Sequence, residues 1–108
     1  MTPRGIVTAL LFAWLALPGA ASAEPLQADI GKLSAGMPKD VTGYISRRVQ
    51  CNHWDKLEAH HKASRREIDA AQVKLHCDGL EWEEKILCRK HARDKLILKR
   101  IDLARDYS

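Results

Sequence analysis

Residues 54–75, WDKLEAHHKASRREIDAAQVKL, decide the fold class. Trp54, Leu57, His61, Ser64, Ile68, Ala71 and Leu75 follow steps of 3, 4, 3, 4, 3 and 4, which puts all seven on one stripe of an α-helix. His61 and Ser64 make the middle of that stripe polar. Ser64 is also a good helix N-cap, with Glu67 three residues later as its capping-box partner. The spacing therefore fits either one helix from Trp54 or a loop followed by a helix from Ser64, and the second reading is preferred.

The same period extends in both directions. Upstream, Val41, Tyr44, Ile45 and Val49 share one side of a segment for which Asp40 can serve as N-cap. Gly43 weakens that helix by about 1 kcal/mol relative to alanine. Downstream, Gly79 stands where a left-handed residue closes a helix. A third segment runs from Leu80 to about Asp106, with Leu80, Glu83/Glu84, Leu87, His91, Asp94, Leu98 and Ile101 on its stripe and Ile86 and Ile97 widening it. Glu58/Lys62 and Glu81/Lys85 place the acid four residues before the base, the favourable order on an exposed helix face. No alternating strand pattern occurs. The expected fold is all-α, a small antiparallel helical hairpin or three-helix arrangement pinned by a disulfide.

The N-terminus reads as a secretory signal peptide over residues 1–23. Arg4 supplies the positive region, Ile6–Leu17 a twelve-residue apolar core, Pro18-Gly19 a break, and Ala21-Ser22-Ala23 the small residues of a cleavage site. Twelve apolar residues are short for a span, which needs about 20, so no stable membrane anchor is expected after cleavage. The expected location is the periplasm or the exterior. Residues 24–39, EPLQADIGKLSAGMPK, hold two prolines and two glycines and read as a flexible lead-in, leaving 40–108 as the helical domain. The signal carries one of the 18 basic residues and none of the 14 acidic ones, so the mature charge is +3 with neutral histidines. That small, dispersed excess excludes a nucleic-acid binder, which concentrates Lys and Arg on one face.

Three cysteines in a small exported domain imply one disulfide and one thiol left over. Of the three pairings, Cys51–Cys77 is favoured. Cys51 follows the first helix, Cys77 closes the second, and an antiparallel return brings these ends together. A Cys77–Cys88 bridge requires two helices joined by a tight turn to touch at unequal heights. Cys88 is then a buried thiol or an intermolecular bridge, burial being the expected state.

Cys88 and His91, at i and i+3, are candidate metal ligands, but neither C-x2-C nor H-x3-H spacing occurs, and a closed zinc site needs four ligands. No metal or other cofactor is expected; metal binding is the alternative function, and a structural envelope role a further one. Neither a G-x-S-x-G elbow, a phosphate-cradling glycine loop nor an H-E-x-x-H motif is present, so the chain is expected not to be an enzyme. The adjacent Glu83 and Glu84 point to different faces and are no matched acid–base pair. Trp54 lies on its stripe and is expected in the core. Trp82 falls off the Leu80–Leu87 stripe and is the best candidate for an interaction hot spot.

The run CDGLEWEEKILCRKHA, Cys77–Ala92, resembles the helical N-terminal domain of LprI-type lysozyme inhibitors, small exported bacterial proteins. Cys77, Leu80, Glu83/Glu84, Leu87 and His91 stand at that pattern's positions. Glutamate replaces its aspartate and histidine its tyrosine, Cys88 is extra, and CNHW (Cys51–Trp54) is foreign to it. A broader similarity is to exported bacterial proteins with an RR…CNHW…C…L arrangement, which implies no activity. The inhibitor resemblance implies a disulfide-pinned helical hairpin, with Cys51 bridging to Cys77, that binds a protein partner. A basic lysozyme would meet Asp78, Glu81, Glu83 and Glu84, the only dense acidic patch in the chain.

Overall fold

A computed structural model describes residues 18–107, with side chains from Leu26 onward, so residues 1–17 of the expected signal peptide lie outside the described residues. Five helices follow in order: α1 (Pro18–Ser34), α2 (Lys39–Ala59), α3 (Arg65–Leu75), α4 (Leu80–Lys90) and α5 (Lys95–Arg105), with a 3-10 turn at Cys77–Gly79 before α4. Among the described residues there is no strand, and no helix long and apolar enough to cross a membrane.

α2 is the pillar, packing against α1, α3, α4 and α5. Val41, Tyr44, Ile45, Val49 and Cys51 are buried along it and meet Ile30 of α1, Leu80 and Leu87 of α4, and Ile97, Ile101 and Ala104 of α5. The largest of these, Tyr44, Ile45, Leu80 and Ile101, are each below 2% exposed. Burial at that level contributes roughly 2–3 kcal/mol per aliphatic or aromatic side chain.

Helix boundaries differ from the periodicity in four places. First, the segment from Asp40 does not stop at Cys51 but continues to Ala59, so Cys51 lies inside α2. Second, the 54–75 stripe is divided at residues 60–64 by a short turn, but residues 54–59, expected as loop in the preferred reading, are the last turns of α2. His61 adopts a left-handed φ of 53° and α3 starts at a complete capping box, the Ser64 hydroxyl accepting from Glu67 N and the Glu67 carboxylate from Ser64 N. Third, left-handed closure falls on His76, φ 56°, while Gly79 has φ −97° and opens α4. Fourth, the third segment breaks at residues 91–94 because the Asp94 side chain accepts from Leu96 N and Ile97 N, at 3.1 Å each, and starts a new helix. Asp94 therefore ends one helical register instead of continuing it, and Ile97, Ile101 and Ala104, not Leu98, face the core.

Residues 24–39, expected as a flexible lead-in, are helical as far as Ser34. Ile30 is buried, and Leu26, Leu33 and Met37 pack beside it. The missing signal lay far downstream: the Arg100 guanidinium of α5 donates to the carbonyls of Lys32, Leu33 and Ala35 at 2.8–3.4 Å. Those are orphan acceptors of a helix C-terminus, and one cation satisfies them together. Gly36, φ 76°, then supplies the left-handed turn into α2. Asn52 does the equivalent at the end of α5, donating to the carbonyls of Ala104 and Tyr107 at 3.0 and 2.8 Å. The asparagine of CNHW is thus a cap between helices.

Candidate interaction surface

Cys51 and Cys77 form the disulfide, across a sequence separation of 26 residues. It ties the base of the antiparallel α2–α3 hairpin, whose middle is held by Gln72 Nε2 donating to Asp55 Oδ1 at 3.1 Å and whose tip is held by Arg65 bonding Glu58. This hairpin is lightly packed. Of the seven stripe residues only Ile68 is buried, while Trp54, expected in the core, is half-buried at the hairpin's side. Its cause is geometric: past Asn52, which caps α5, the side-chain bonds of α2 at Asp55 and Glu58 go to α3.

The acidic patch expected on one surface is divided by the structure. Glu83 bonds Arg47 and Glu84 accepts from Tyr44 Oη at 2.8 Å and Arg105 Nη1 at 2.7 Å. Arg48 Nε donates to the same Tyr44 oxygen at 3.1 Å, with its Nη2 3.5 Å from Glu84. Burial, with Glu84 beside it, pushes the Tyr44 hydroxyl up to about 12. These two glutamates therefore join α4 to α2 and α5, and they are unavailable to a partner. The arginines Arg47 and Arg48 carry this role unnoticed in sequence, where charge reads as helix solvation. Asp78 and Glu81 remain exposed.

Cys88 and His91 turn to different neighbours. The Cys88 thiol packs beside the core, where burial, and then the negative charge of Glu84, raise its pKa. His91 Nε2 instead lies 3.2 Å from Asp40 Oδ2. Among the described residues no three His, Cys, Asp or Glu side chains gather into a metal-holding group.

Asp40 is not the N-cap of α2, a place taken by Pro38. It reaches across to the end of α4, where the Lys90 ammonium, donating at 2.7 Å, and His91 hold its carboxyl down at about 2. A depressed carboxylate stabilises the folded state above its ordinary value, 3.8, and that contribution disappears as pH falls through about 2. Asp40→Asn is expected to cost about 1 kcal/mol at neutral pH, the pair being partly solvated, and to flatten the loss of stability between pH 4 and pH 2. Urea titrations across that pH range measure both; an unchanged acid limb would rule the coupling out.

What α4 turns outward is a stripe of Glu81, Trp82, Lys85, Ile86 and Arg89. Trp82 is 62% exposed and Ile86, expected to widen the buried stripe, is 44% exposed. At 100° per residue, Leu80, Leu87 and the two bonded glutamates occupy one half of the helix and these five the other. Among the described residues, none of the three charged ones makes an ion pair; Glu81 and Lys85 do not bond each other. Trp82 was legible as a departure from the Leu80–Leu87 stripe. Ile86 was not, because periodicity could not say how wide the covered face is. A second open groove, lined by Asp55, Asp69, Val73 and Asp78, runs beside the disulfide. Compared with family models, curated proteins and solved structures, the chain has no match.

Proposed function

We propose that this chain is an exported, non-catalytic helical protein that binds another protein through the outward face of α4. The observation that carries this reading is Trp82, largely exposed beside the exposed Ile86 on a helix whose opposite face is anchored by Glu83 and Glu84. Tryptophan supplies large contact area with little rotamer entropy to lose, and a rigid helix holds it ready for a partner. An export signal over 1–23 would deliver the chain outside the cytoplasm, where the Cys51–Cys77 bond is stable.

Lysozyme inhibition is the sharpest version, motivated by the resemblance of Cys77–Ala92. Of the acidic residues a basic lysozyme would meet, Asp78 and Glu81 are free to do so. The expected result is that a molar excess of the purified protein slows lysozyme turnover, and that Trp82→Ala restores it at least tenfold, as loss of a hot spot does. The same substitution should change stability by less than about 0.5 kcal/mol, since Trp82 covers little of the core. Unaffected turnover rejects the lysozyme version.

A further inference from the structure

The outward stripe of α4 is ordered in a particular way. Its acid, Glu81, stands toward the N-terminal end, its bases, Lys85 and Arg89, toward the C-terminal end, and Trp82 and Ile86 lie among them. A helix with that order is complementary to itself when reversed. We infer that the chain forms a two-fold homodimer in which α4 packs antiparallel on α4 of a second copy. This rests on the reading of that face as a docking surface and names its first occupant.

The pairing follows from charge and spacing. In a two-fold contact each residue meets its counterpart reciprocally, so one pairing is made twice. With the two-fold axis between residues 83 and 84, Asp78 of the preceding turn is level with the copy's Arg89, while Trp82 meets the copy's Ile86 and Glu81 the copy's Lys85, each offset by about 1.5 Å along the axis. Lys85 also comes level with the copy's Trp82, within reach of a cation–π contact. A parallel arrangement would oppose Glu81 to Glu81 and Lys85 to Lys85, and is disfavoured by the same charges. None of these charges is engaged within the monomer among the described residues, so none must be released first.

The geometry limits the strength and chemistry of the dimer. One face of an eleven-residue helix covers much less than the roughly 800 Å² per partner of a standard interface, so dissociation constants of roughly 10 µM to 1 mM follow. Antiparallel pairing about a two-fold axis between residues 83 and 84 leaves the two Cys88 residues roughly 12–15 Å apart along the helix axes, beyond disulfide reach. The dimer is therefore non-covalent and indifferent to reductant at Cys88. It also occupies Trp82, so any other partner of this face competes with it.

Sedimentation equilibrium of the purified exported protein, from about 10 µM to about 1 mM, tests the inference. The weight-average mass should climb toward twice the monomer and fall back as salt is raised toward about 1 M, where surface charges are screened. Trp82→Ala should weaken association at least tenfold. Glu81→Lys and Lys85→Glu should each abolish it alone, while an equimolar mixture of the two should recover it, since each then faces its opposite charge. Circular dichroism should find both variants folded. Monomer mass at every concentration, masses above the dimer, association that survives Trp82→Ala, or a mixture no better than its components overturns the proposal. Lysozyme turnover is read separately: inhibition by a strictly monomeric protein removes the dimer and keeps the docking face, and a dimer without inhibition does the reverse for lysozyme.

Discussion

Replacing Cys51 and Cys77 together by serine is expected to lower the stability of the fold by about 3.5 kcal/mol, the chain-entropy value for a closed loop of this length. A small domain has little more than 5 kcal/mol in total, so this is the largest single effect foreseen. The loss should be unevenly distributed. Every member of the main core lies outside residues 52–76, and the hairpin beyond the disulfide has Ile68 as its only buried side chain. Without the cross-link, α3 is held by Arg47 donating to Leu75 O at 3.3 Å, by the Gln72–Asp55 bond and by contacts at the tip. Hydrogen exchange should therefore accelerate through α3 and the last two turns of α2 well before it does in the first half of α2 or in α5. Denaturant titrations of oxidised and reduced protein, with exchange followed by mass spectrometry, measure both. Uniform acceleration across all helices would show that the disulfide serves the whole core and not the hairpin.

Glu84→Ala is the second large effect, expected to cost about 2–4 kcal/mol. The substitution removes the acceptor of the wholly buried Tyr44 hydroxyl and the counter-charge of the half-buried Arg48 and of Arg105 at once. Orphaning a buried donor costs about 1–3 kcal/mol, and stranding a partly buried charge adds to it. Tyr44→Phe, which removes the donor as well, should be milder, near 1 kcal/mol. The same group gives a distinctive alkaline limb. Because the Tyr44 pKa is raised from 10.0 to about 12, its contribution is complete below pH 10 and is lost as pH climbs from 10 to 12. Tyr44→Phe should remove that part of the limb in thermal melts recorded at pH 9–12. A limb of the same slope in the variant would place the alkaline loss elsewhere.

The proposed export signal, partner and dimer are all matters of ends and surfaces, and there the sequence speaks unevenly. Trp82 showed itself by leaving the apolar stripe of α4. Glu83 and Glu84 sit on the Leu80–Leu87 stripe by period and beside Glu81 by composition, so sequence offers them both as inward residues and as part of an acidic patch. They turn inward to Arg47, Tyr44 and Arg48, some 36–40 positions earlier, a pairing that no local pattern contains. Lys85 reads in sequence only as half of a favourable pair with Glu81 on an exposed face, and Arg89 carries no pattern at all. Their order relative to Glu81 matters only once the helix is known to leave that face uncovered.

Period and capping chemistry, both local, were enough for the all-α class and for a helix start at Ser64, whereas the choice of Cys51 and Cys77 as partners rests on an assumed antiparallel return and holds although Cys51 lies inside α2. The first two follow from interactions within a few residues; the third follows from two antiparallel segments lying side by side. The helix at residues 18–34, the break at Asp94 and the inward pairing of two half-buried glutamates were decided by tertiary structure. Arg100 collects carbonyls more than sixty residues away, α4 and α5 both need a place against α2, and a glutamate turns inward only where a distant cation or hydroxyl meets it. Such terms appear only when segments far apart in the chain have already come together.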